Sequence, residues 1–495
     1  MVFGNQPYAL SAVQNERTAA SFEFLKEFSV NKVIYGINTG FGPMAQYKIS
    51  DADLSKLQYN LIRSHSNGTG NRLSDQRVRA VMLCRLQSLT LGFSGISPDV
   101  AKQLELYIAK EVYPVIFENG SVGASGDLVQ LAHLGLGLIG EGNCTYKGEL
   151  RPTADVLKEL DIAPMKLSLR DGLAIINGTS CMTGIAAINV IQSQRLLEWE
   201  LAASCLINEL IGSFDDFFSQ ELNNAKLHEG QREVAKMMRA NLEDSQLIHK
   251  REHWFFDGAE EGTKEVFKKK LQEYYSIRCV PQILGPIYEA IKAAAEVVEK
   301  EFNSANDNPI VDVASRSVYH GGNFHGDYVA YEMDKLKIGV AKLSMLIERQ
   351  LNFLVNPKLN DIFPPFLNRQ TLGLNFGVQG MQFTAVSTTA ENQTLSNPMS
   401  VHSIPNNNDN QDIVSMGTNS ALLAGRVIDN GFRVLAIHLI AAAQAVDISG
   451  EHDKLSSRSK AIYKAVRAIS TPITDDVPRF NDISQLTNYL QNHNL

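Results

Sequence analysis

Apolar positions recur at three- and four-residue spacing along most of this chain, the pattern of helices that bury one face. Residues 10–30 and 51–67 show it first. The second stretch opens after Ser50 and closes at Asn67-Gly68, where glycine suits the left-handed end of a helix. Helices are predicted from Ser74 to about Phe93 and again from Ser97-Pro98, a cap followed by a first-turn proline. An apolar run from Leu128 to Ile139 predicts a buried helix, and Asn143-Cys-Thr-Tyr-Lys-Gly148 a small hairpin. From Thr183 to Gly212 the helical spacing persists far beyond an average helix, and a proline-free span from Asn406 to Thr471 is similar. Several of these stretches are too apolar to be solvated on any face, which predicts long helices packed side by side.

This patterning predicts a mainly α protein. A mixed but mostly helical N-terminal domain occupies residues 1–176, and a long-helix bundle occupies 177–495. A further hairpin is expected through Ala314-Ser315-Arg316. Residues 242–265, charged and containing Asp257-Gly258, read as an excursion from the bundle, and Asn406 to Asp412 as a polar linker before the next helix.

With 44% hydrophobic and 20% charged residues in 495, there is ample material for a large core. A net charge of −8 without a basic block argues against nucleic acid or an anionic membrane and favours a small-molecule substrate. Cys84, Cys144, Cys181, Cys205 and Cys279 are odd in number and mostly set in apolar segments, as expected of reduced cysteines in a cytoplasmic protein. The most apolar run, Val434 to Val446, is too short to cross a bilayer, and the N-terminus carries no basic region followed by an apolar stretch.

The chemistry is expected in Ser121-Val-Gly-Ala-Ser-Gly-Asp127. Small residues free its backbone of Cβ clashes. In such a turn the Gly126 amide nitrogen can attack the Ala124 carbonyl carbon and close a five-membered ring. Loss of two waters, one carrying the Ser125 hydroxyl, leaves a 4-methylideneimidazol-5-one, an electrophile made from the chain itself. Taken alone, the stretch also reads as a helix start capped by Ser125 or Asp127.

Other segments accompany it: Tyr35-Gly-Ile-Asn-Thr-Gly-Phe-Gly42, Asn177-Gly-Thr-Ser180, Gln272-Glu-Tyr-Tyr-Ser-Ile-Arg278, Gly322-Asn-Phe-His325 and Asn410-Gln-Asp412. Together, from about residue 30 to 450, they resemble the aromatic amino acid ammonia-lyases. The resemblance implies the fumarase/aspartase-like lyase fold and a homotetramer whose active sites are lined by more than one chain. It implies the ring from Ala124, Ser125 and Gly126 with no external cofactor or metal. The extra C-terminal shielding domain of the larger plant members is expected to be missing.

By the same resemblance Tyr35 takes the β-proton, and the residues after it form a mobile lid. A phenol is ordinarily protonated near neutral pH, so its anion needs hydrogen bonds or positive charge. Asn177 matches the residue that hydrogen-bonds the ring's exocyclic oxygen, and Phe324 the phenylalanine packed near the electrophile. Arg278 would grip the substrate carboxylate through its two-pronged guanidinium. Gln272, Tyr275 and Arg278 fall at spacings of three, which a helical turn would place on one side. Tyr275 matches a tyrosine lent by a neighbouring subunit, and Asn407 is carried over as a substrate-binding residue. A rival reading makes His320, His325 and Asp327 a metal site.

Substrate choice draws on two places. Members acting on histidine carry Gln-Glu-Asp-His where this chain has Asn410-Gln411-Asp412-Ile413, so an imidazole cation would lose its counter-ion. Ser64-His65, however, resembles the histidine-type enzymes. At the distal end of a pocket either side chain can bond a phenol hydroxyl, whereas phenylalanine would leave it unpaired at a cost of about 1–3 kcal/mol. Tyrosine is therefore expected before phenylalanine, and either before histidine. A phenylalanine or histidine lyase, a tyrosine 2,3-aminomutase, a fumarase-type lyase and a catalytically silent homologue stand as alternatives.

Overall fold

In the computed structural model, residues 8–256 and 270–495 are described, so the 257–269 part of the expected excursion lies outside the described residues. Of the described residues, 61% are helix and 7% strand. Contacts group it into two compact units, each assembled from separated stretches. Unit one takes Met1–Asn189, Ala294–Asp334 and Pro398–Gly425; unit two takes Val190–Ala293, Lys335–Asn397 and Arg426–Leu495.

In unit one, α1 (Ala12–Phe28) opens with Ser11 and Gln14 in a reciprocal capping box. Helix α2 (Leu54–His65) buries Gln58, Leu61 and Ile62, its three- and four-spaced face. Its end differs from expectation. Ser66, not Gly68, is the C-cap, with its hydroxyl donating to Ile62 O at 2.8 Å. Gly68 is instead committed to a donor bond, its N–H reaching His133 Nε2 at 3.0 Å. Strand β1 (Thr69–Arg72) follows, then α3 (Asp75–Leu89), shorter than predicted and almost wholly buried. Helix α4 (Pro98–Lys110) starts as expected, but the Ser97 hydroxyl turns to Asp171 at 2.9 Å instead of capping its own helix.

Strands β2 (Tyr113–Pro114) and β3 (Phe117–Asn119) precede α5 (Leu128–Leu138), the predicted buried helix. The hairpin of β4 (Asn143–Tyr146) and β5 (Glu149–Pro152) forms, turning at Lys147 and Gly148 with φ of 52° and 79°. The antiparallel sheet runs β2-β4-β5, and β1 pairs with β3. After α6 (Thr153–Glu159), the fully buried α7 (Asp171–Ile176) packs on α2 and α5. These three helices carry or adjoin Ser64, His65, the Ala124-Ser125-Gly126 turn and Asn177. The second predicted hairpin pairs β6 (Ile310–Asp312) with β7 (Ser317–Tyr319).

The long helices are α8 (Ser180–Leu210), α12 (Val280–Phe302), α13 (Asp327–Val355) and α16 (Gly417–Ser449), with α9 (Gln220–Asn224), α10 (Glu229–Asn241) and α11 (Tyr275–Arg278) between the first two. Helices α14 (Pro357–Asn360), α15 (Gln379–Leu395), α17 (Ser457–Ile469) and α18 (Phe480–Asn492) complete the order. Within unit two, α8, α13 and α16 touch where Gly431 omits a side chain: a Cβ there would lie 2.7 Å from Leu196 and 3.5 Å from Val340. Asn392 of α15 ties in by donating to Ser344 at 2.9 Å and to Val427 O at 3.1 Å.

The apolar run expected to be too short for a bilayer belongs to α16, which at 33 residues is long and apolar enough to cross one. Its most apolar stretch is 83% buried against the rest of the chain, the condition of a core helix.

Candidate active site

The turn from Ser121 to Asp127 is clamped from four directions within unit one. Gly123 has φ +74° and a Cβ there would lie 2.1 Å from Ser415 Oγ, so only glycine fits beside that hydroxyl. Gly126 has φ +73° and its Cβ would lie 2.0 Å from Gly178 O. Ser415 donates to Gly123 O at 3.0 Å, Met416 N to Val122 O at 2.9 Å and Asp127 N to Gly178 O at 2.8 Å. The fully buried Asp127 carboxylate accepts from Met182 N at 2.8 Å in the first turn of α8 and from the Thr418 hydroxyl in the first turn of α16. With α5 starting at Leu128, three helix N-termini point at one turn. Their partial positive charge suits an oxygen that gains electron density. Burial pushes the Asp127 carboxyl up to about 6 even against these donors.

The residues at the tip fit the ring that the sequence suggests. Ser125 O is the oxygen that would remain exocyclic, and Asn177 Nδ2 donates to it at 3.2 Å. Ser125 Oγ, the oxygen that would leave as water, accepts from Gln411 Nε2 at 2.8 Å. Asn177 Oδ1 is buried without a partner among the described residues. Ala124 is packed against Val414 and Met416, which holds the carbonyl to be attacked.

Asn177 itself is held from below. The fully buried Arg85 donates to Ala174 O at 2.6 Å, Asn306 Oδ1 at 3.1 Å and Ser180 Oγ at 3.3 Å, straddling the Asn177-Gly178-Thr179 segment. A Cβ on Gly178 would meet Arg85 at 2.3 Å. Burial raises the neighbouring Cys84 thiol to about 12, so it offers no thiolate here.

Above the turn lies a cavity of about 630 Å³. Tyr35, Ser64, His65, Ser125, Asn177, Phe324, Asn407 and Gln411 all line it, so eight of the sequence-derived candidates meet, with Ala124 and Gly126 flanking Ser125. The Tyr35 hydroxyl accepts from Gly42 N at 3.1 Å, and the ring meets Phe41 edge-on with centroids 6.1 Å apart. Residues 41–46 roof the cavity, and a Cβ on Gly42 would lie 2.7 Å from Asn407 Nδ2. Asn407, Asn408 and Asp409 take left-handed φ of 56°, 51° and 57°, and the Asn406–Gln411 bridge closes their loop, which aims Gln411 inward. At the other end His65 Nδ1 lies 2.9 Å from Leu61 O, a carbonyl that can only accept, so this nitrogen is the donor.

Gln272, Tyr275 and Arg278 line a different cavity, of about 590 Å³, in unit two, together with Lys270 and Arg349. The expected helical turn holds only in part, because α11 begins at Tyr275 and leaves Gln272 outside. The three still meet: Arg278 bonds Gln272 Oε1 and lies 4.8 Å over the Tyr275 ring. Tyr275 is 70% exposed in the single chain. The rival metal set does not assemble, since among the described residues no three His, Cys, Asp or Glu side chains converge. His325 Nδ1 instead lies 3.4 Å from Asp327.

Sequence reasoning passed over Gln58, Arg85 and Thr418, and took Asp127 only as a cap. Polar residues on the buried faces of α2 and α3 were the one signal available, and they do not say what they bond.

A family model described as aromatic amino acid lyase matches residues 1–468. A histidine ammonia-lyase of Geobacillus thermodenitrificans is 38% identical over 96% of this chain and 92% of its own. A tyrosine ammonia-lyase of Cupriavidus metallidurans is also 38% identical, over 92% and 88%. The crystal structure of a tyrosine aminomutase from Streptomyces globisporus, 35% identical, superposes with a TM-score of 0.95 over 99% of this chain and 94% of that one.

Proposed function

Because the chain belongs to the aromatic amino acid lyase family, we propose that it is a tyrosine ammonia-lyase that converts L-tyrosine to trans-p-coumarate and ammonia. The prosthetic group is a 4-methylideneimidazol-5-one formed from Ala124, Ser125 and Gly126, and it supplies an electrophile for the substrate amine. Asn177 and the helix N-termini around Asp127 stabilise charge on Ser125 O. Tyr35 takes the β-proton, and the Gly42 N–H favours negative charge on its oxygen. The segment from Phe41 to Gln46 lines the cavity beside Tyr35 and would help to fix the reacting groups in one geometry.

The observation that carries the choice of tyrosine or phenylalanine over histidine is the wall this chain gives the 630 Å³ cavity, which among the described residues holds no carboxylate, lysine or arginine. A neutral aromatic ring fits between Leu57, Leu61 and Ile176, whereas an imidazolium would lack a counter-ion. At the His65 end of the cavity, His65 Nε2 or the Ser64 hydroxyl would hydrogen-bond the substrate phenol. Arg278 and Tyr275 enter the same site from another chain of a homotetramer, which explains why they line a separate cavity in unit two. The free cysteines support a cytoplasmic location.

A second reading, histidine as substrate, is favoured by Ser64-His65 and by the equally similar histidine ammonia-lyase. A third, 2,3-aminomutase chemistry, is favoured by the likeness to the tyrosine aminomutase structure. Incubation with L-tyrosine, L-phenylalanine and L-histidine separately, following unsaturated acid by absorbance and β-amino acid by chromatography, decides among them. Fastest formation of p-coumarate without β-tyrosine supports the proposal. Comparable turnover of histidine overturns the substrate choice, and accumulation of β-tyrosine overturns the reaction type.

A further inference from the structure

Gln58 faces the core from α2 with no exposed surface, at a position where the helical pattern calls for an apolar residue. A buried amide is costly unless both of its ends are bonded. Here both are. Its Nε2 donates to Gly36 O at 3.1 Å, and its Oε1 accepts from Leu173 N at 3.0 Å. The first partner is the residue after Tyr35; the second lies in α7, whose C-cap is Asn177.

The surrounding backbone is shaped to this bridge. Gly36 has φ +79°, and a Cβ on it would lie 2.1 Å from the Leu173 side chain. A Cβ on Gly172 would lie 2.9 Å from Gln58 Oε1. Close approach on both sides therefore depends on glycine. The rest of the Tyr35 loop is secured locally: Gly36 N donates to Thr39 Oγ1 at 3.3 Å, and Ile34 and Ile37 sit in an apolar cluster with Phe24, Leu25 and Val311. Gln58 supplies the tie from this loop to the helix that delivers Asn177.

We propose that Gln58 is a positioning residue that sets where the Tyr35 hydroxyl stands relative to the Asn177 end of the cavity. This rests on Tyr35 being the proton acceptor. Gln58 touches no substrate; it acts by fixing the backbone on one side of Tyr35 to the scaffold on the other side of the reaction. A displacement of about 1 Å in a reacting group costs on the order of 100-fold in rate. The turn that would form the ring is held by Ser121, Asp127, Gly178 and Ser415, none of which Gln58 bonds.

The test uses the full-length assembled enzyme and two substitutions. Q58M keeps the volume and removes both hydrogen bonds, while Q58E keeps the acceptor for Leu173 N. Near-ultraviolet ring absorbance, assembly mass, kcat and KM are measured with whichever of L-tyrosine and L-histidine the native enzyme turns over faster, and Y35F is run alongside. The expected result is native ring absorbance and mass, KM within about threefold, and kcat lowered roughly 10- to 100-fold. A folded, ring-bearing variant with kcat within twofold of native overturns the proposal. So does a rate loss that only tracks loss of ring absorbance, or failure of both variants to assemble, since Gln58 would then serve the electrophile or the fold. If Y35F turns over at the native rate, the proton-acceptor reading itself fails. If Y35F is inactive while Q58M is native-like, only the role of Gln58 fails.

Discussion

Tyr35 and Ser125 face one cavity, and in the proposed reaction they hold different roles, so their substitutions should fail in different ways. Ser125→Ala removes the hydroxyl that must leave; near-ultraviolet ring absorbance and turnover should both vanish while the protein stays folded by circular dichroism. Tyr35→Phe should keep the absorbance and lower kcat by about 100- to 10,000-fold, the usual worth of a general base. Full activity of a Ser125→Ala enzyme would refute the electrophile. Asn177→Ala should cost about 100- to 1,000-fold in kcat with the ring present, as loss of a donor to a developing oxyanion does. These residues were legible in the sequence because each sits in a short glycine-marked motif. Their supports were not: Arg85, Gln58 and Thr418 act across gaps of roughly 90 to 290 positions, and no local pattern encodes such partners.

At the scale of elements, period and capping residues identified α1, α2, α4, α5 and both hairpins, because local physics settles them. Ends were less legible. Gly68 looked like a helix stop yet serves as a donor to His133, because a tertiary partner outbids local preference. Gln272 shares a face with Arg278 through a side-chain bond, although the helix begins only at Tyr275. In unit two the packing of α8, α13 and α16 leaves no room at Gly431, where an added side chain meets Leu196. Gly431→Val should therefore destabilise the fold by about 1–3 kcal/mol, read as a lower thermal midpoint; an unchanged midpoint would show that these helices part without cost.

For the whole molecule, the proposed assembly, with Arg278 entering the site from another chain, predicts complementation. Co-expressed Ser125→Ala and Arg278→Ala chains, each inactive alone, should regain measurable turnover in mixed assemblies, and silence of the mixture would argue for sites within single chains. Stability should also carry the mark of a buried pair in unit two. His438 Nδ1 lies 3.9 Å from Glu200, both side chains are fully buried, and neither histidine nitrogen has a hydrogen-bond partner among the described residues. Burial lifts the Glu200 carboxyl well above its ordinary 4.5 and drops His438 from 6.5 to about 3. Above 4.5 the unfolded chain releases a proton that the folded chain keeps on Glu200, so this group erodes stability as pH rises. Below 6.5 the unfolded chain gains a proton that folded His438 refuses, so that group erodes stability as pH falls toward 3. Relative to the native chain, Glu200→Gln should gain stability as pH rises above 4.5 and His438→Leu as pH falls below 6.5, each by at most about 1.4 kcal/mol per pH unit. Denaturant titrations across pH 4 to 8 would show both slopes, and parallel curves would contradict them. The clamp on the reactive turn has a temporal meaning as well. Its last members, Ser415 to Thr418, are translated almost 300 residues after the segment they grip. On the proposed chemistry, a growing chain that has not yet reached Ser415 lacks these contacts, so arming of the turn would wait until most of the chain has been made.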